Sequence, residues 1–101
     1  MAVELQTQEK TLIAILSGEI DHHCAQPMRA EIDAKIDDLQ PSVLVLDFAG
    51  VTFMDSSGIA VVMRVRQRVR DLGGAVTLRG VRPQARKVLD AAGLDRFVTV
   101  E

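Results

Sequence analysis

The chain has 101 residues, 48% apolar and 26% charged, a balance that fits one soluble globular domain with a single core. A formal net charge of −2 excludes general electrostatic attraction to nucleic acid or acidic membranes. No Trp or Tyr and only three Phe argue against a stacking platform for single-stranded nucleic acid. Cys24 is the only cysteine, so no internal disulfide is possible and a reducing compartment is expected. No basic and apolar leader is visible at the start, and apolar runs such as 12–16 and 43–46 are far too short to span a bilayer. The expected location is the cytoplasm.

Val3, Leu5 and Thr7 alternate with Glu4, Gln6 and Gln8, the period of a half-exposed strand. Glu9 and Lys10 make a turn into a more apolar strand over 11–16, and the two predict a hairpin that ends at Ser17-Gly18. Glu19-Ile20-Asp21-His22-His23 is expected to be a polar crossing. Ala25, Met28, Ile32, Ile36 and Leu39 recur at threes and fours, predicting a helix over about 24–39 with Pro27 in its first turn. Asp37 and Asp38 fall at the helix end where the dipole disfavours them.

Pro41-Ser42 breaks the chain before its most apolar strand, 43–48, the expected centre of the sheet. Residues 49–54 then lead to the turn Asp55-Ser56-Ser57-Gly58. A helix over about 57–72 follows, with Val62, Val65, Val69 and Leu72 as its stripe and Gly73-Gly74 as its stop. A strand over 75–78 comes next. Pro83 then opens a third helix whose Ala85, Val88, Leu89 and Ala92 share a face. A short strand over 97–100 closes the chain. The order ββαβαβαβ implies a mixed sheet: a hairpin, then parallel strands joined by crossover helices packed over it. In such sheets functional loops gather at the C-terminal strand edge, so the turn after Gly18 and the turn holding Ser56 are expected as neighbours, with Asp21 near Ser56.

Several constellations invite chemistry. A hydrolase built on Ser56 or Ser57 would need a base such as His22 or His23 and an oxyanion site, but Gly-x-Ser-x-Gly is absent. Asp21-His22-His23-Cys24 suggests a metal, yet four consecutive residues cannot all converge on one ion, and no second Cys or His cluster exists. The same four letters resemble the membrane acyltransferase signature, but the chain lacks a membrane span and a cysteine-rich zinc framework. Arg64, Arg66, Arg68 and Arg70 point in different directions from one helix. They read as a solvated face or a basic patch for an acidic protein partner. No phosphate-binding Gly-x-x-x-x-Gly-Lys-Ser/Thr loop occurs, and no cofactor or metal is expected. What remains is a serine pair at a helix N-terminus, where a hydroxyl either caps the helix or accepts a phosphate.

Phe53-Met54-Asp55-Ser56-Ser57-Gly58-Ile59 resembles the signature of STAS domains, the bacterial anti-sigma factor antagonists, and the element order resembles that fold over essentially the whole chain, 1–101. Gly18-Glu19-Ile20-Asp21-His22-His23 is similar to the sporulation branch, the antagonists of the anti-sigma-F factor. The resemblance implies that Ser56, directly after the Asp, is the phosphorylated serine and that Ser57 starts the helix. It implies two protein partners, an ATP-using anti-sigma factor with serine kinase activity and a phosphoserine phosphatase. It implies a regulatory module with no catalytic residues of its own. Many relatives carry a further helix after the last strand. The partner-binding residues expected are Asp21, Met54, Asp55, Ser57, Gly58 and Ile59, with Gly58 and Ala60 keeping the surface low and Met54, Ile59 and Met63 offering apolar contact. The alternatives are a general-stress partner-switching antagonist and a non-phosphorylated STAS accessory subunit of a membrane transport complex. A phosphate on Ser56 adds roughly −1.5 to −2 charge, and at a helix N-terminus it should leave the fold intact and act at the surface.

Overall fold

The protein is described by a computed structural model covering residues 2–101. Strands β1 (Ala2–Gln8) and β2 (Thr11–Ile20) form an antiparallel hairpin. Helix α1 (His22–Leu39) crosses to β3 (Val43–Met54), α2 (Ser56–Asp71) to β4 (Ala75–Arg79), and α3 (Pro83–Ala91) to β5 (Thr99–Val100). The sheet order is β1-β2-β3-β4-β5, and every pair after the hairpin is parallel. The predicted order and mixed α/β architecture are those observed.

Register explains which face is covered. Leu12, Leu44 and Val76 form one row across β2, β3 and β4, and Ala14, Leu46 and Leu78 the next; all six are buried. The alternate rows, Ile13-Val45-Thr77 and Ile15-Asp47-Arg79, are only half-buried. Helix α1 sets Ala25, Met28, Ile32 and Ile36 into the core, and α2 sets Val61, Val62, Val65 and Val69 beside them. On the other face Asp47 and Arg79, directly opposite across β3 and β4, form an ion pair at 3.0 Å.

Several boundaries differ from the sequence expectations. Strand β2 does not stop at Ser17-Gly18; it continues to Ile20, so residues 19 and 20 are strand rather than a polar crossing. Strand β3 likewise continues past Phe48 to Met54. Five steps along β2, Ile15 to Ile20, match seven along β3, Asp47 to Met54, so β3 carries two extra residues as two bulges. The buried positions of β3 accordingly run Leu44, Leu46, Phe48, then Val51, then Met54, which breaks the period of two.

Helix α1 starts at His22, which places Pro27 in the second turn rather than the first. The carbonyl of His23 thereby loses its helical donor, at an exposed residue that water can serve. Leu72 is 44% exposed and caps α2 instead of joining its stripe. Behind it, Gly73 at φ 79° donates to Arg70 O and Gly74 donates to Val69 O, a complete Schellman stop. Phe97 lies outside β5, after a short 3-10 turn at Leu94–Arg96. The acidic end of α1 has a partner: Arg68 of α2 pairs with Asp37 and, at 3.4 Å, with Asp33, while Lys35 pairs with Asp38.

Candidate functional site

The parallel pairing of β2 and β3 ends with Ile20 opposite Met54, and the Asp55 N–H then donates to the Ile20 carbonyl at 3.2 Å. Each strand therefore reaches the same edge of the sheet and is followed at once by an aspartate and a helix. Asp21 caps α1: its Oδ1 accepts from the N–H groups of His23 and Cys24, both at 3.0 Å. Asp55 caps α2: its Oδ1 accepts from the Ser57 N–H at 2.8 Å. Two helix N-termini thus open side by side, and the two turns are neighbours.

The caps account for the aspartates and release the serines. Ser56 and Ser57 are both capping residue types, but Asp55 holds that place. Ser56 is the first residue of α2, exposed, and among the described residues its hydroxyl has no protein partner. It borders a shallow groove between α2 and α3 with Ile59, Lys87, Val88 and Ala91. Ser57 is half-buried and faces the other way, into a cleft between α1 and α2 beside His22, Gln26 and Arg29. Consecutive helical residues point about 100° apart, so only one serine can address each side.

The edge carries modest electrostatic shifts. The Asp21 carboxyl is held below its ordinary value by the hydrogen bond from the Cys24 N–H, reinforced by the Cys24 side chain. The Cys24 thiol is pushed up, chiefly by its hydrogen bond to Asp21, and stays protonated at neutral pH. The rings of His22 and His23 meet edge-on at 5.8 Å, and among the described residues neither hydrogen-bonds to Ser56 or Ser57. Among the described residues no group of three or more His, Cys, Asp or Glu is placed to hold a metal ion.

Two of the expected contact residues lie beneath the surface. Met54 is fully buried and cannot offer its thioether to a partner; it is the floor under α2. Gly58 is buried too, and a Cβ there would fall 2.4 Å from both Cγ and Sδ of Met54. Its lack of a side chain lets α2 close on Met54 rather than clearing the outer surface. Asp21, Asp55, Ser57 and Ile59 are half-buried, and Ile59 lines the groove next to Ser56.

One supporting residue has no sequence signal. The side-chain amide of Gln84, in the first turn of α3, accepts from the Met54 N–H and donates to the Met54 carbonyl, both at 2.9 Å. The pairing of β3 with β4 ends at Asp47 and Arg79, so the last residues of β3 have no strand on that side. Gln84 supplies the missing ladder bonds two residues before Ser56 and ties α3 to the turn.

Residues 2–101 match the STAS domain. The chain belongs to the STAS family. It is 31% identical over 100 residues to the anti-sigma F factor antagonist of Paenibacillus polymyxa, a match that covers 99% of this chain and 86% of that one. Its fold is similar to that of the anti-sigma factor antagonist SpoIIAA in its unphosphorylated form, with a TM-score of 0.87 and 29% identity over 99% of this STAS chain and 88% of the other. The phosphorylated form of SpoIIAA, the Bacillus cell fate determinant, aligns with a TM-score of 0.77 at 29% identity, covering 99% and 91%. Among the described residues of this STAS domain no helix is long and apolar enough to cross a membrane.

Proposed function

We propose that this STAS domain is an anti-sigma factor antagonist that works by partner switching, with phosphorylation of Ser56 as the switch. Unphosphorylated, it binds an anti-sigma factor and frees a sigma factor; the anti-sigma factor, acting as a serine kinase, transfers the γ-phosphoryl group of ATP to Ser56 Oγ and ends the interaction. A phosphoserine phosphatase restores the hydroxyl. The domain acts by binding and not by catalysis. The observation that carries the reading is the free, exposed hydroxyl of Ser56 at the first position of a helix already capped by Asp55. Likeness to antagonists of the anti-sigma F factor supports the pathway.

The physics of the switch follows from that position. A phosphate adds roughly −1.5 to −2 charge. At a helix N-terminus a negative charge gains about 0.3–1 kcal/mol, so the domain tolerates it. A partner that covers Ser56 meets a new charge it cannot pair, and like-charge juxtaposition at an interface costs several kcal/mol. At about 1.4 kcal/mol per tenfold, binding falls by about a hundredfold or more. The test is intact mass after incubation with an anti-sigma F kinase and ATP, with the site mapped by fragmentation. One phosphate on Ser56 is expected, together with retained partner binding by Ser56→Ala and weakened binding by Ser56→Asp in calorimetry. No phosphate from a kinase active on its own antagonist, or equal binding by the two variants, would overturn the reading.

A further inference from the structure

A second charged feature lies away from Ser56. Arg66 and Arg70, on the C-terminal half of α2, face a cleft of about 390 Å³ whose other walls are the start of β4 and the segment 95–99. Arg96 and Phe97 complete it, and Asp95 is its one acidic residue. Ten to fourteen residues of helix at about 1.5 Å each put this cleft roughly 15–20 Å from Ser56.

The arginines of this chain divide into two sets. Arg29, Arg68, Arg79 and Arg86 each have an aspartate within ion-pair distance. Among the described residues, Arg64, Arg66, Arg70, Arg82 and Arg96 have none, although the chain as a whole is acidic. Three of these five, Arg66, Arg70 and Arg96, converge on the cleft. Arg70 sits in the last turn of α2, where the helix dipole alone accounts for a cation. That account does not extend to Arg66 and Arg96. Their guanidinium carbons lie over the Phe97 ring, 5.3 and 5.6 Å from its centroid. Phe97 itself is 41% exposed.

Stacking on an aromatic ring uses the face of a guanidinium and leaves its in-plane N–H edges free. Arg96 Nε donates to the Gly93 carbonyl at 3.5 Å, so its terminal nitrogens, the fork of Arg66 held by the same ring and Arg70 beside them are the donors left to meet carboxylates. Arginine and an exposed aromatic side by side is also the composition of an interface anchor. We propose that this cleft is a second interaction surface, which docks an acidic, Glu- or Asp-rich segment of a partner protein. A long nucleic acid is disfavoured by the net negative charge of the chain and by the presence of one aromatic ring in the cleft. The surface is independent of phosphorylation at Ser56.

The test uses the full chain and a fluorescein-labelled peptide of alternating Glu and Gly, followed by fluorescence anisotropy at low and high salt. A single-stranded oligonucleotide of equal charge is run in parallel. Saturable, salt-sensitive binding of the peptide is expected. Arg66→Ala and Arg96→Ala should each weaken it by about tenfold, the loss of one charge-assisted pair. Arg66→Lys, which keeps charge but loses the fork, should fall between. Arg64→Ala, an exposed arginine of the same helix outside the cleft, should change it by no more than about twofold. Amide shift mapping on the unsubstituted protein makes the test independent of any variant's folding: shifts at 74–76 and 95–99, and none at 55–60, are expected. Absence of peptide binding, equal loss with Arg64→Ala, shifts spread over the whole surface, or tighter binding of the oligonucleotide would each overturn the proposal.

Discussion

Gly58→Ala tests the packing beneath the switch. In a helix alanine is favoured over glycine by up to about 1 kcal/mol, less in the first turn, so propensity alone predicts stabilisation. Packing opposes it. The new methyl would stand 2.4 Å from Cγ and Sδ of Met54 and 3.4 Å from Cγ2 of Ile20. A methionine side chain is flexible, but Met54 and Ile20 are both buried at 0–1% exposure, so the thioether can move only by displacing the core. Overpacking of this kind costs about 1–3 kcal/mol. The net expectation is a loss of about 1–2 kcal/mol, or roughly 5–15 °C in melting temperature for a domain of this size. Urea denaturation of four proteins decides it: the unsubstituted chain, Gly58→Ala, Met54→Ala and the double variant. Met54→Ala alone should cost about 2–5 kcal/mol through the cavity it leaves. In that background Gly58→Ala should stabilise, because its methyl enters the vacated space. The sign change is the signature of direct contact. A stabilising Gly58→Ala in the unsubstituted chain, or the same effect in both backgrounds, would refute the packing argument.

Two further outcomes follow from the same edge. Gln84→Ala removes two hydrogen bonds to the Met54 backbone and should cost about 2 kcal/mol. Hydrogen exchange of the Met54 amide should accelerate, and Gln84→Glu, which can accept from Met54 N–H but not donate to its carbonyl, should recover only part; unchanged exchange in the alanine variant would show that the clamp carries nothing. Because the folded Asp21 carboxyl is held below its ordinary 3.8, its contribution to stability is present above that value and is lost as pH falls through the lower folded value. The stability gap between the unsubstituted chain and Asp21→Ala should therefore be widest near neutral pH and narrow in acid. Denaturant midpoints measured at both ends check this, and a gap that widens in acid would contradict the cap.

Much of this fold is legible in the sequence because its helices obey their period. Ala25, Met28, Ile32 and Ile36 mark the buried face of α1 by spacing alone, and Gly73-Gly74 marks the end of α2. The Asp-Ser-Ser-Gly turn stands out as the focus, and its neighbour at Asp21 follows from the parallel topology. Where β2 and β3 end is not legible, since the two bulges break the alternation on which strand length is judged. The bulges bring Val51 inward against the alternation, whereas Met54 returns to the inward parity of Leu44, Leu46 and Phe48; burial of Gly58 escapes a sequence reading because nothing local shows that Met54 lies directly beneath it. The Gln84 clamp spans 30 residues and uses an amide that follows no periodic pattern, so nothing local announces it. The acidic end of α1 looks unfavourable in isolation because its partner, Arg68, comes from another helix.

The two bulges of β3 also govern how this domain can change length. Each extra residue exchanges the inward and outward sides of the strand, and the second restores what the first reversed. A strand shortened by one residue between Asp47 and Met54 would have to turn Met54 outward or carry Ser56 around to the opposite side of the sheet. Shortened by two, it would keep both in place. Insertions and deletions in this stretch should therefore be tolerated in pairs and not singly, and a switch loop transplanted onto another STAS scaffold must bring an even number of added residues with it.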